Sequence, residues 1–480
     1  MDEIANESNI SKARNFEKRE LTRVQMWCYA FPYFGLMAII QLMSSFSAMF
    51  YIFVMGVPPI FAGVVYGLGL YLYALMGPIC GTVCDKYKTR FGRKKTFILI
   101  SAPIICVSYL FIWAPPPTNT IYGQFELILG LSYIISTIVL RIFDSLFSSA
   151  YLSMLPEIST VEENRVKTSM VQMLASTLGS ALGIAAPIIF MGEATENLTY
   201  ESIDLFYHTS EAGKVIYGSV FTFSLILMII FAVSVIFMMV FIKEPDIESS
   251  NEEKMSLRAV IEPVKDKNML YFLLTYFITF LPMAALMYLL FSFATYVIDL
   301  RGSEFYIFGG IALVVCILSF TTWEKLTSKL GLKKTYIYCI LLSIAAFELM
   351  LILIIPMDHT VVFIIGIIVL SFGLIVLVGS MIFPYPILAD IIDSAEEKTG
   401  RNLSGSYQGS LNLFGALGSG TAMIISTSFL QAYGEESSVP YMIIFFLGGF
   451  FLLAGLLLFR NVVVVGTEER RNRQAKERIK

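Results

Sequence analysis

The sequence predicts an all-α integral membrane protein, with twelve transmembrane helices in two six-helix, pseudo-symmetric halves. Three observations predict it. Apolar runs long enough to cross a bilayer recur along the chain. Lys and Arg fall almost entirely into alternate connections. A loop sequence in the first half returns in the second. Bulk composition agrees: 56% of residues are hydrophobic and 15% charged, with a mean hydropathy of +0.73. Soluble chains average about 45–50% apolar and about 25% charged. The lipid bilayer is therefore an expected partner. A net charge of −3 gives no electrostatic footprint for nucleic acid.

A bilayer core takes about 20 apolar residues as helix. Backbone groups in lipid must be satisfied within the segment, so long apolar runs mean helices. The polar, mixed-charge start of the chain lacks the short apolar core of a signal peptide. Span 1 (24–53) follows it. Span 2 (57–84) is rich in glycine. Span 3 (95–115) begins directly after a basic loop. Span 4 (121–154) contains the pair Arg141 and Asp144. Span 5 (168–192) carries Gly179 and Gly183, and span 6 (214–243) is almost purely apolar. Span 7 (269–298) has Tyr276 and Tyr288. Span 8 (304–324) ends at Glu324, and span 9 (335–356) holds Glu348. Span 10 (360–388) is broken near its end by Pro384-Tyr385-Pro386, because proline removes a helical N–H. Span 11 (405–431) has Gln408, Asn412 and five glycines, and span 12 (439–464) precedes a basic tail. Trp27 and Trp113, at span ends, are expected as interfacial anchors.

Orientation follows from Lys and Arg in the short loops. The first tail has Lys12, Arg14, Lys18, Arg19 and Arg23, and connection 2–3 has six more between Lys86 and Lys95. Connections 4–5, 6–7, 8–9 and 10–11 and the last tail continue the pattern. The other side offers only Lys214 and Arg301. Both termini are expected in the cytoplasm of a multi-pass cell-membrane protein.

The repeat halves the chain. Asp85-Lys86-Tyr-Lys-Thr-Arg-Phe-Gly92-Arg-Lys94-Lys95-Thr96 aligns without gaps on Glu324-Lys325-Leu-Thr-Ser-Lys-Leu-Gly331-Leu-Lys333-Lys334-Thr335. The acid, the next lysine, the glycine, the lysine pair and the threonine all match. Glu157 and Arg165 around connection 4–5 have counterparts in Asp390 and Arg401 around connection 10–11. The expected organisation is a tail (1–23), a first bundle (24–243), a central linker (244–268), a second bundle (269–464) and a basic tail (465–480).

Twelve spans in two parallel repeats resemble the major facilitator superfamily. The loop G-x-x-x-D-K…R-F-G-R-K-K resembles a lengthened form of that superfamily's loop 2–3 signature. The lengthened form is similar to the glycoside–pentoside–hexuronide:cation symporter family. So are Ser153-Met-Leu-Pro156-Glu157 and Leu388-Ala-Asp390. The resemblance implies a secondary transporter, with a midplane site reached by rocking of the halves. It implies a cytoplasmic gate of Gly81, Asp85, Arg90, Gly92, Arg93, Lys94, Glu157, Arg165, Glu324, Lys325, Gly331, Asp390 and Arg401. In that gate Asp85 meets the start of span 11. Arg90, Arg93 and Lys94 reach acids of the other half such as Asp390 or Glu397, and Glu324 mirrors Asp85 against span 5. Melibiose-permease relatives carry acids in spans 1 and 2 and a lysine in span 11. Those stretches here have none. A proton is therefore expected as coupling cation ahead of sodium.

An ionisable group at mid-membrane marks a functional site by default. Arg141 and Asp144, three apart on span 4, share one helix face. A carboxylate that accepts beside a guanidinium that donates suits a polar solute or a proton. Tyr33, Gln41, Gln172, Tyr276, Tyr288, Gln408 and Asn412 complete the candidate substrate and cation site. The expected cargo is a sugar or glycoside. The alternatives are a lipid-like, drug or organic-acid cargo, or a non-transporting receptor on the same fold. No HExxH, GxSxG or Walker loop is present, and there are only two histidines, so an enzyme is not expected. Neither is a metal or a cofactor beyond the coupling cation. The six cysteines imply no disulfide framework. A monomer is expected.

Overall fold

The computed structural model describes residues 19–86, 92–116, 127–196, 206–245, 261–399, 403–434 and 437–464. Among these, twelve helical spans are long and apolar enough to cross a membrane. The first half contains α1 (Arg23–Met49), α2 (Pro59–Lys86), α3 (Lys94–Trp113), α4 (Leu127–Ile158), α5 (Glu162–Thr195) and α6 (Glu211–Phe241). The second contains α7 (Lys267–Tyr296), α8 (Ser303–Leu330), α9 (Leu332–Met350), α10a (His359–Ile382), α10b (Pro384–Thr399), α11 (Ser404–Tyr433) and α12 (Val439–Phe459).

Local chemistry sets the ends. Thr22 and Gln25 form a reciprocal capping box on α1. Ser210, Asp266 and Asp358 accept from backbone N–H groups at the starts of α6, α7 and α10a. The break between α10a and α10b falls at Phe383, directly before Pro384, because Pro384 and Pro386 have no N–H to donate to the carbonyls one turn back. Beyond it the chain stays helical to Thr399, further than its hydropathy predicts. α4 runs past Pro156 and ends two residues later at Ile158.

The start of α1 lies beside the end of α6, and the start of α7 beside the residues after α12; this face of the bundle is called the terminal face and the opposite one the distal face. The halves meet most extensively where α2 packs on α11, and also where α5 meets α8 and α1 meets α7. Glycines let these helices approach closely. A methyl group at Gly67 would lie 2.9 Å from the Gly420 carbonyl oxygen, and one at Gly309 would lie 2.8 Å from Ile188 Cγ2. Tyr71 and Thr421 share a hydroxyl hydrogen bond of 2.8 Å across the first seam. Across the second, the Gly302 N–H donates to Thr195 Oγ1 at 2.8 Å. These contacts lie at the middle and in the distal parts of the helices. Toward the terminal face, no described residue lies within 4 Å of the side-chain position at Gly81.

Connection 2–3 departs from its expected role as a gate in one respect. Arg93 and Lys94 both pair with Glu157, the lysine at 2.8 Å, and Lys94 also donates to the Ser153 carbonyl. Glu157 is in their own half, so in this conformation these bases do not bridge to the acids of the other half. Glu244, just past α6, accepts the backbone N–H groups of Arg93, Lys94 and Lys95 at 2.8–2.9 Å. A carboxylate is favoured there by the helix dipole and three unsatisfied donors. Gly92 makes the turn at φ +111°, and a side chain there would collide with Glu244. In the second half Gly331 holds the matching position at φ +79°, and Lys333 donates to the Val462 carbonyl at 2.6 Å. Arg165 donates to the Ser159 carbonyl at 3.1 and 3.2 Å. Glu324 and Lys325 are exposed. Arg90 and Arg401, and the side chain of Asp85, lie outside the described residues.

Gly92→Ala is expected to destabilise the protein by about 1–3 kcal/mol, the cost of a strained backbone conformation, and to push Glu244 away from the start of α3. Gly81→Ala, inside α2 with no described neighbour within 4 Å, is expected to leave stability unchanged or raise it by up to about 1 kcal/mol. Thermal unfolding of the two purified variants checks the contrast.

Candidate functional site

One face of α4 is polar along its length. Tyr133, Thr137, Arg141, Asp144 and Ser148 recur at helical spacing, and all are buried. Such a stripe survives in a membrane only against polar or glycine partners. α2 supplies Tyr66, Gly69 and Tyr73, and α1 supplies Tyr33 and Ser47. Ser145 and Ser149 of α4 donate to the Tyr73 and Gly77 carbonyls at 3.2 and 3.3 Å, stitching α4 to α2.

Arg141 and Asp144 are each only 3% exposed. Their closest approach, Nη1 to Oδ2, is 3.9 Å, which is loose for an ion pair. Arg141 Nη2 donates to the Tyr66 hydroxyl at 3.2 Å, and the guanidinium carbon sits 5.4 Å from the Tyr66 ring centroid, within cation–π range. Ser148 donates to Asp144 Oδ1 at 3.3 Å. Tyr33 and Tyr73 lie within electrostatic reach of the Asp144 carboxylate. A buried charge pair this loose keeps bonding capacity for a third party.

The second half offers this pair an aromatic wall. Tyr288 of α7 meets Tyr66 edge-on at 5.3 Å and lies near Arg141 and Ser419. Tyr385, between the two prolines of α10b, is 53% exposed. It is nonetheless within electrostatic reach of Tyr33 in one half and Tyr276 in the other. Tyr33 in turn stacks on Tyr151 at 5.1 Å, and Tyr151 and Tyr29 exchange hydroxyl-to-carbonyl hydrogen bonds that pin α1 to α4.

The predicted site residues thus divide. Arg141, Asp144, Tyr33 and Tyr288 come together, and Tyr276 joins through Tyr385. The amides do not form the expected polyol-binding set. Gln408 donates to Asn412 at 3.2 Å one turn along α11. Gln41 lies against Gly183 of α5, and Gln172 is buried in α5. Glu348 is exposed, with its carboxylate against Gly449 of α12. Sequence reasoning missed Tyr66, Tyr73 and Ser148. The helical spacing of Asp144 and Ser148 was the one available signal.

Distally the site is sealed by rings. Phe46 meets Phe291 across the halves at 6.1 Å, and Phe53 meets Tyr296 at 5.0 Å. Trp113 is a correction: expected as an interfacial anchor, it is fully buried and packs on Phe50 at 5.3 Å. The aromatic seal draws it inward.

Arg141→Met alone leaves a buried carboxylate unpaired and is expected to cost about 3–5 kcal/mol. The double variant Arg141→Met/Asp144→Leu is expected to recover most of that loss. A double-mutant cycle on thermal stability in detergent checks this.

Comparison with known proteins adds the lineage. The family model described as "MFS/sugar transport protein" matches residues 28–461. A chicken (Gallus gallus) protein, sodium-dependent lysophosphatidylcholine symporter 1, is 23% identical over 410 residues, spanning 79% of this chain and 73% of that one. The Xenopus tropicalis protein of the same name is 26% identical over 144 residues, spanning 30% and 26%. Among solved structures, the nucleoside transporter NupG covers 91% of this chain and 99% of its own, with 14% identity and a TM-score of 0.63. A bacterial homologue of the iron transporter ferroportin, in its inward-facing state, covers 92% and 99%, with 12% identity and a TM-score of 0.62. At those identities the likeness to solved structures is one of fold. The twelve-span architecture and the match along nearly the whole chain together make this protein a member of the MFS/sugar transport protein family, a membrane transporter and not an enzyme.

Proposed function

We propose that the protein is a cation-coupled secondary transporter for an amphiphilic solute with a charged head group, worked by alternating access around Arg141 and Asp144. One observation carries this reading: a buried, loosely paired guanidinium and carboxylate face aromatic rings instead of a polyol-binding set of amides. A head group carrying both charges satisfies both members of the pair. The rings of Tyr33, Tyr288 and Tyr385 suit an apolar body. The lysophosphatidylcholine cargo named for the chicken relative supports the same class. Asp144 is the coupling group, because it is the carboxylate beside the site. The Lys and Arg asymmetry of the loops supports a cytoplasmic terminal face.

A sugar cargo is the second reading, favoured by the family description and by the hydroxyls of Tyr33, Tyr66 and Tyr288. Proteoliposomes separate the two. Lysophosphatidylcholine and melibiose are offered in parallel, under an imposed proton gradient and under an imposed sodium gradient. The expected outcome is concentrative uptake of the lysophospholipid under one of the gradients. Asp144→Asn is expected to cut that accumulation at least about tenfold, equivalent to about 1.4 kcal/mol, with binding retained. Melibiose uptake without lysophospholipid uptake overturns the amphiphile reading. Full accumulation by Asp144→Asn overturns its coupling role.

A further inference from the structure

A cavity of about 400 Å³ lies between the start of α1 and the start of α5, at the terminal face. It shares no lining residue with the site around Arg141 and Asp144. Glu20, Arg23, Glu163 and Lys167 give it a charged rim, and Trp27 and Val171 belong to its apolar wall. A volume of that order suits a small molecule or a head group.

Hydrogen bonds fix its shape. The Arg19 N–H donates to Thr160 Oγ1 at 2.9 Å, and the Thr160 N–H donates to the Arg19 carbonyl at 3.1 Å. Asn164 accepts from the Leu21 N–H at 3.0 Å and donates to the Leu21 carbonyl at 2.9 Å. Further along, α1 and α5 touch directly. A methyl group at Gly183 would lie 2.6 Å from the Ala38 carbonyl oxygen. Both helices belong to the first half, so the cavity keeps its walls when the halves rock.

The cavity leads into apolar surface. Arg23, Trp27 and Phe31 follow at four-residue spacing on α1, and Lys167, Val171, Leu174 and Leu178 at three- and four-residue spacing on α5. Trp27, Phe31, Leu174 and Leu178 are exposed. Phe31 is two residues from Tyr33, about 160° around the helix. Tyr33 looks toward Asp144, so Phe31 points away from the central site and toward the membrane. Each stripe thus runs from a cation at the terminal face into exposed apolar side chains. That is the profile of a phospholipid, with its head at the interface and its chains along the helices.

Charge selects the head. Lys167 pairs with Glu163 at 2.6 Å, one turn along α5 and in the open, an arrangement that holds weakly in water. Among the described residues, the side chains of Arg23 and Glu20 have no ion-pair partner. Two cations and two carboxylates around one cavity suit a head that carries both signs. A guanidinium binds phosphate through paired N–H groups. A primary ammonium donates to carboxylates, which a quaternary one cannot do. The Trp27 ring offers a face to the same cation.

We propose that this cavity seats a resident bilayer phospholipid with a phosphoethanolamine head. Its phosphate lies on Arg23 and Lys167, its ammonium on Glu20 and Glu163, and its chains along the two exposed stripes. The seat is separate from the transport site and does not rest on the cargo reading above.

Thermal unfolding of the full-length protein in maltoside micelles tests it. Phosphatidylethanolamine, phosphatidylcholine and phosphatidylglycerol with identical chains are added at equal mole fraction. Each midpoint is read against the same protein without lipid. Phosphatidylethanolamine is expected to raise the wild-type midpoint most. Arg23→Gln/Lys167→Gln, two exposed positions, is expected to lose that advantage, and Arg23→Lys is expected to keep it. Equal rises with the three lipids, or an undiminished advantage in the double variant, overturns the seat. A larger rise with phosphatidylglycerol overturns the assignment of the amine head. Native mass spectrometry gives an independent reading. The wild type is expected to retain one phosphatidylethanolamine more than the double variant at matched collision energy, and equal retention overturns the seat.

Discussion

A guanidinium and a carboxylate buried near mid-membrane can persist only as a pair. The local structure around Arg141 and Asp144 follows from that constraint. α4 must present a polar stripe, so its neighbours must meet a polar stripe. α2 answers with Tyr66, Tyr73 and a glycine at position 69, and α1 with Tyr33 and Ser47. The serines of α4 spend their hydroxyls on α2 carbonyls, which fixes the two helices in register. The first half is thereby a rigid carrier of charge. The second half contributes mostly rings to the same place.

This division of labour makes a rocking mechanism physically simple. The charged pair stays with one half, so it is solvated from whichever side the second half uncovers. Closure on the distal side uses apolar rings and glycine-to-backbone contacts. These are short-range and break without leaving buried charges behind. The ion pairs at the terminal face serve a different purpose in this conformation. Glu157 and Glu244 hold connection 2–3 against its own half, and so stiffen the bundle that must move as one body.

Much of the fold was legible in the sequence, because hydropathy and loop charge are one-dimensional signals. The twelve spans, the repeat around Gly92 and Gly331 and the break at Pro384 all needed only composition and order. The Arg141–Asp144 pair was legible for the same reason: two charges in an apolar run at helical spacing. What surrounds the pair was not. Tyr66 and Tyr73 look like any other tyrosines of an aromatic-rich chain, and only the rotation of α2 aims them at α4. Gln408 and Asn412, read as sugar ligands, share one hydrogen bond along a helical turn. Glu244 sits beyond the end of a span, where an acid reads as ordinary solvation. Its partners are backbone groups, which leave no trace in a sequence. Trp113 misled because position along a span says nothing about which side faces lipid.

The central claim is that charge recognition at Asp144 drives the exchange between a terminally open and a distally open state. Distances measured by electron spin resonance test it most directly. Spin labels in a cysteine-free background at Gly81 and Ser404 report the terminal ends of α2 and α11, and labels at Ile60 and Tyr433 report their distal ends. Lysophosphatidylcholine with the coupling cation is predicted to shorten the first distance and lengthen the second, and to do neither in Asp144→Asn. Distances that ignore the ligand, or that shift equally in the Asp144→Asn protein, would contradict the account.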